Sequence, residues 1–286
     1  MAWDKRGEKM MRMYKRLVSM SVLLVLVLVS TIIFMGCGQE KDKNAAEDAS
    51  LPVVTVGCDD YSPFSYTDDD GNITGIDVEL AREAFSRIGY RPHFVFINWE
   101  DKNQLLQDGD IDCIWSSFTL TGRESQYAWA GPYMKSNQVV AVRENSDIYT
   151  MDDLAGKILA VQSTTKPEDI IRKHDGTVPQ LQKVLSVQKR DLVFLLMAKG
   201  YADAMAAHDT SIEQCMKNTG LKVRILDTPL KSVGLGVAFD KNDTRGINQK
   251  LNGALAEMYQ DGTMQEILGR YFANPEKFLE VPHEGD

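Results

Sequence analysis

The chain has 286 residues, of which 41 are acidic, 32 basic and 43% hydrophobic, for a formal net charge of −9. That acid excess excludes nucleic acid as a partner, since each phosphate would meet a like charge, and the length suits one large domain or two small lobes with substantial cores. The cysteines stand far apart, without a C-x-x-C pair or zinc-ligand spacing, so neither a metal nor a cofactor is expected.

Residues 1–16 carry Lys5, Arg6, Lys9, Arg12, Lys15 and Arg16 against only Asp4 and Glu8, and an uncharged apolar run follows from Leu17 to Gly36. This is the pattern of an export signal. The run is long enough to span a bilayer, but Phe34-Met35-Gly36-Cys37 resembles a lipobox, in which a small residue precedes a cysteine that is lipidated and becomes N-terminal. The expectation is a lipoprotein signal peptide over 1–36, lipidation at Cys37, and a protein held on the outer face of the cytoplasmic membrane. Residues 37–50 are polar without apolar periodicity and read as a flexible tether. Loss of the leader's net +4 takes the charge from −9 to −13. Cys58, Cys113 and Cys215 then remain, reading as small buried hydrophobes, with one disulfide left open.

Val53–Cys58 predicts a strand, and Asp59-Asp60-Tyr61-Ser62-Pro63-Phe64 the loop leaving it. The acidic run Asp68-Asp69-Asp70-Gly71-Asn72 is a hairpin turn rather than a calcium loop, because no bidentate Glu closes it. From Gly75 on, Ile76, Leu80, Ala84 and Ile88 recur at helical spacing up to Gly89, with Asp77 near the helix N-terminus. His93–Ile97 predicts a strand with Trp99 just beyond its end. After a helix around Gln104–Gln107, Cys113-Ile114-Trp115 predicts a short buried strand that runs into Ser116-Ser117-Phe118-Thr119-Leu120-Thr121-Gly122-Arg123. Hydroxyls at the C-terminal edge of a sheet, followed by the planar donor fork of Arg123, suit a carboxylate.

In the second half, Gln138–Val142 and Ile158–Val161 predict strands, and Gln162-Ser163-Thr164-Thr165-Lys166-Pro167 is a hydroxyl-rich turn entering a helix. Free N–H groups at such a helix start suit an anion. Leu105–Asp112 and Leu196–Asp203 echo each other as helix end, G-x-x-D turn and short strand. This predicts an α/β protein of two similar lobes, each presenting a strand end to a shared cleft. The second strand, Ala204–Ala207, ends in His208-Asp209-Thr210, which gives Asp209 the place of Ser116 and Ser117; an N-cap is the other reading of Asp209. Val233–Phe239 predicts a strand, and residues 243–260 and 262–271 predict helices.

Ser116-Ser117-Phe118-Thr119-Leu120-Thr121 with Arg123, followed by Trp129-Ala130-Gly131-Pro132-Tyr133, resembles the ligand loop of the polar amino-acid-binding proteins that serve ATP-binding-cassette importers. One residue fewer separates Thr121 from Arg123 than is usual there. Gly75–Ala81, Gln162–Thr165 and Asp261-Gly262-Thr263 extend the resemblance over nearly the whole mature chain. The resemblance implies a type II periplasmic-binding-protein-like fold: lobe 1 from 51–140 and 234–280, lobe 2 from 141–233, joined by two crossing strands. It implies a site for one free amino acid. Arg123, Thr165 and Thr121 would meet the ligand carboxylate, and Asp209, Ser117 and Thr119 its ammonium. Tyr61 and Trp99 would wall the side chain, with Ser116 and either Asp59 or Asp60, an acid that leans toward a cationic or amide-bearing ligand. It further implies permease and ATPase partners, membrane attachment through lipid, a monomer, and binding rather than catalysis. A cyclohexadienyl dehydratase-like enzyme and a sensor are the rivals; His208 and Glu124 form no acid–base constellation.

Overall fold

The computed structural model describes residues 50–174 and 176–280. The expected export signal, Cys37 and nearly all of the expected tether lie outside the described residues.

Strand β1 (Val53–Cys58) buries Val54 and Val56 and pairs in parallel with β4 (Arg91–Phe96) on one side and β5 (Cys113–Ile114) on the other. Parallel neighbours require crossovers. Helix α1 (Ile76–Arg87) makes the first and α2 (Lys102–Asp108) the second, while β2 (Tyr66–Thr67) and β3 (Ile73–Thr74) form a small hairpin before α1. The buried residues of α1, among them Ile76, Leu80, Ala84 and Phe85, follow the helical period and face the β1 side of the sheet. Gly75 precedes the helix at φ +126, where a Cβ would collide with the Phe64 carbonyl, so only glycine allows the loop before α1 to close this tightly.

Strand β6 (Ala128–Arg143) is the long element of the fold. It pairs antiparallel with β11 (Lys231–Phe239) from Ala128 to Gln138 and, at its far end, with β9 (Ala204–His208) over Gln138–Val142. The prediction of a strand at Gln138–Val142 therefore caught only its last third. The Trp129–Tyr133 motif is strand as well, its backbone paired with β11. In the second lobe β7 (Ile158–Gln162) lies between β9 and β8 (Lys183–Val187), parallel to both, and β10 (Val223–Ile225) pairs with β6. Helices α3 (Lys166–Lys173), α4 (Arg190–Ala198) and α5 (Asp209–Thr219) cover these strands. The sheet order is β4-β1-β5-β11-β6-β9-β7-β8, so β6 and β11 are the two strands shared by both lobes.

Strand alternation divides each lobe's core between the two faces of its sheet. Val140, Val142, Leu159, Val161, Ala204 and Ala206 pack on one face, and Val139, Ala141, Ala160, Met205 and Ala207 on the other. The repeat seen in the sequence is matched bond for bond. Asp112 donates its backbone N–H to the Thr55 carbonyl and accepts the Thr55 N–H on its carboxylate at 2.7 Å; Asp203 does the same with Ile158, at 2.9 Å. Each aspartate pins the strand that leads to the cleft.

Helix α6 (Ile247–Gln260) starts four residues later than the expected Asp243, because Asp243 and Arg245 bond to each other in a turn and Gly246 adopts a left-handed φ of +70. Helix α7 (Thr263–Gly269) completes the first lobe. Cys58, Cys113 and Cys215 are buried free thiols; burial pushes the Cys58 thiol up to about 12.

Candidate functional site

The C-terminal ends of β1 and β5, the start of α3, the start of α4 and the end of β9 meet at one small cavity. Tyr61, Trp99, Ser116, Ser117, Thr119 and Arg123 line it from the first lobe, Thr165, Lys166, Arg190 and His208 from the second, and Gln138 from β6. Its volume is about 20 Å³, room for roughly one water, so the lobes stand closed on each other. They are latched at the rim. Lys102 Nζ donates to Thr164 Oγ1 at 2.9 Å, Ser163 Oγ to Glu100 Oε1 at 2.7 Å, and Gln162 Nε2 to Asp59 Oδ2 at 2.8 Å.

Arg123 is 8% exposed and lies over the Phe118 ring at 5.1 Å. Its side chain makes a single hydrogen bond among the described residues, a long one of 3.4 Å from Nη1 to the Thr119 carbonyl. Burial holds its pKa below the usual arginine range. A buried guanidinium with most of its donors unused is ready for a planar anion.

Ser117 owes its position to Asp77. The backbone there is left-handed, at φ +50, and the Ser117 N–H donates to Asp77 Oδ2 at 2.5 Å while Tyr133 Oη donates to Oδ1 at 2.8 Å. The carboxylate expected at the start of α1 thus reaches across to fix the ligand loop in a strained turn, leaving Ser117 Oγ buried without a partner. Ser116 Oγ instead accepts the Asp59 N–H at 3.0 Å, Thr119 Oγ1 accepts from Gln138 Nε2 at 3.3 Å, and Thr165 Oγ1 donates to the Gln162 carbonyl at 2.6 Å. Tyr61 and Trp99 both line the cavity. They are 2% and 6% exposed, and neither Tyr61 Oη nor Trp99 Nε1 has a partner.

Three residues fall outside the cavity lining. Thr121 Oγ1 accepts the Gly234 N–H at 2.9 Å, tying the ligand loop to β11. Asp59 is held behind the lining by Gln162 and stands 3.7 Å from Arg190; burial raises its pKa against the pull of that arginine. Asp209 accepts from Asn137 Nδ2 at 3.0 Å, Ser136 Oγ at 3.3 Å and the Thr210 N–H at 2.8 Å, and lines a separate cavity of about 460 Å³ with Thr121 and Lys135. In the register set by Asp112 and Asp203, His208 rather than Asp209 stands where Ser117 does. Asp112 and Asp203 are equivalent, and five residues beyond each come Ser117 and His208, so this register was countable in the sequence. His208 bonds Ser136 Oγ at 2.7 Å and accepts from Gln138 Nε2 at 2.9 Å. Arg190 had no sequence signal. It stands first in α4 with its guanidinium 3.4 Å from the Tyr61 ring centre, brought there by the β8 crossover. Among the described residues no group of three His, Cys, Asp or Glu side chains is placed to hold a metal.

Asp77 and His208 make a pH prediction. Burial pushes the Asp77 carboxyl up to about 7 from 3.8 and pushes His208 down to about 3 from 6.5, with the nearby Arg190 charge adding to the latter. Asp77 takes up a proton more readily when folded. Its stabilisation is complete below its unfolded value and lost as pH rises through about 7. His208 resists protonation when folded, so its contribution is complete above 6.5 and lost as pH falls from there toward 3. The two slopes oppose each other, by up to one proton each, between roughly pH 4 and 6.5. Relative to the parent in thermal melts over that window, Asp77→Asn should gain stability as pH rises, and His208→Gln should lose it. Parallel curves for the three proteins would refute the assignment.

Residues 54–274 match the bacterial extracellular solute-binding proteins, family 3. The chain belongs to that family. The histidine-binding periplasmic protein of Escherichia coli K12 is 30% identical over 237 residues, covering 78% of this chain and 89% of that protein. The L-cystine-binding protein TcyA of Bacillus subtilis is 28% identical over 266 residues, covering 88% and 97%. A crystal structure of a mutant of ArgBP from T. maritima superposes with a TM-score of 0.69 at 30% identity, covering 81% of this chain and 98% of that one. The two curated relatives are described as binding histidine and L-cystine, and the solved structure shares the two-lobed α/β architecture.

Proposed function

We propose that this protein captures one free amino acid between its lobes as the extracytoplasmic binding subunit of an ATP-binding-cassette importer, and that it is not an enzyme. The observation that carries the reading is Arg123, a buried guanidinium with nearly all its donors unused, in a cavity at the seam of two lobes that Tyr61 and Trp99 also line. It takes the ligand carboxylate, with Thr165 and the α3 N-terminus opposite. Ser117 and Thr119 supply hydroxyls from the first lobe and Tyr61 and Trp99 the walls, while Thr121 and Asp209 support the surrounding frame. Ligand that contacts both lobes shifts an open/closed equilibrium, and the closed form is what permease and ATPase subunits sense. Lobe 1 from 51–140 with 234–280, lobe 2 from 141–233, a monomeric state, export under the 1–36 signal and anchoring through Cys37 complete the proposal on sequence grounds.

Thermal unfolding of ligand-stripped protein against each common amino acid tests it. At ligand about 1,000-fold above Kd, the stabilisation is about 4 kcal/mol, a shift of several degrees. No shift with any amino acid would reject the proposal. Turnover of prephenate or arogenate would replace it with the enzyme.

A further inference from the structure

The cavity carries more positive than negative charge. Arg123 and Arg190 both line it, one from each lobe, and no carboxylate does. The acid nearest to Arg190 is Asp59, behind the lining, at 3.7 Å and without a hydrogen bond between the two side chains; Arg190 Nε is buried with no partner at all. Lys166 also lines the cavity, 3.9 Å from Asp169 of its own helix. Setting Asp59 against one arginine and Asp169 against Lys166 leaves one positive charge uncompensated. At the position equivalent to Ser117 the second lobe offers His208, a neutral ring, so a ligand ammonium finds no formal charge there.

From this charge pattern we infer that the ligand is an anionic amino acid, with its α-carboxylate on Arg123 and its side-chain acid on Arg190. The inference rests on the amino-acid reading above and names the class within it. A net charge of −1 on the ligand neutralises the site, a zwitterion leaves it one positive charge in excess, and a cationic amino acid leaves two. Gln138 Oε1 and Ser117 Oγ, both buried without partners, are neutral acceptors for the ammonium. The two ligand acids bridge arginines of opposite lobes, so the same contacts that select the ligand draw the lobes together. The lean toward a cationic ligand expected from Asp59 falls away, because Asp59 stands outside the cavity lining and Gln162 donates to its carboxylate.

Calorimetric titration of the ligand-stripped full chain with L-glutamate, L-aspartate, their two amides, L-arginine, L-histidine and succinate tests this. The expected result is that glutamate or aspartate binds at least ~10-fold more tightly than its amide, the worth of one charge-assisted contact, and that Arg190→Gln brings that ratio close to unity. An amide or a cationic amino acid binding as tightly as the acids would overturn the inference and leave the amino-acid reading intact. Succinate binding as tightly as the amino acids, or no amino acid binding, would overturn both. The ligand ranking of the parent protein decides the matter even if Arg190→Gln fails to fold.

Discussion

Arg123→Ala should weaken amino-acid binding by at least ~2 kcal/mol, about 30-fold, while the ligand-free protein melts close to the parent temperature. The two halves of that expectation come from one observation. Arg123 is buried and its guanidinium makes one long hydrogen bond to protein among the described residues, so the free protein bears the desolvation of the charge with little return. Removing it relieves that cost and forfeits the packing on Phe118 and one long hydrogen bond, whereas the bound state loses a charged, bidentate partner. Arg123→Lys should recover little, since a point charge cannot reproduce the planar fork. A variant that melted well below the parent and bound as before would mean that Arg123 is a structural residue. Calorimetry alongside melting separates the two cases.

Trp115→Ala should cost about 3–5 kcal/mol of stability, the range for truncating a buried aromatic, and lower the melting temperature by roughly 10 °C for a chain of this size. Trp115 is 1% exposed and stands between Phe85 of α1 and Tyr133 of β6, with ring centres 5.9 and 5.5 Å away. Tyr133 also donates to Asp77, which holds the Ser117 turn. The cavity left by Trp115 therefore opens beside the scaffold of the ligand loop, and binding should weaken in the same variant. Trp115→Phe, which keeps most of the volume, should lose far less of both. Equal losses for Ala and Phe would show that packing volume is not what matters at this position.

The elements that are short-range in origin were legible in the chain alone. The apolar run of β1 and the helical spacing of α1 read directly, as did the paired G-x-x-D turns that make the two lobes alike. Local pattern fixes these because alternation and helical periodicity act within a few residues. Arg123 and the hydroxyl loop before it could be singled out by residue type alone, whereas Tyr61 and Trp99 were singled out only through the family resemblance; all of them come to the cavity.

What the chain alone did not decide depends on contacts between distant segments. The length of β6 is set by pairing with β11, about a hundred residues away, rather than by its own apolar pattern. Asp77 read as a helix-start acid, yet its two partners come from the ligand loop and from β6. Asp209 and His208 are neighbours in sequence; counting five residues on from Asp112 and Asp203 already favours His208, and the end of β9 turns it to the cavity. Arg190 reaches the site through the crossover from β8, and its place on Tyr61 beside Asp59 joins residues about 130 positions apart. Charge balance in a cleft is a sum over side chains that the fold gathers from both lobes. Sequence therefore named most of the residues that the fold gathers at the cavity, and tertiary structure decided which charges face one another.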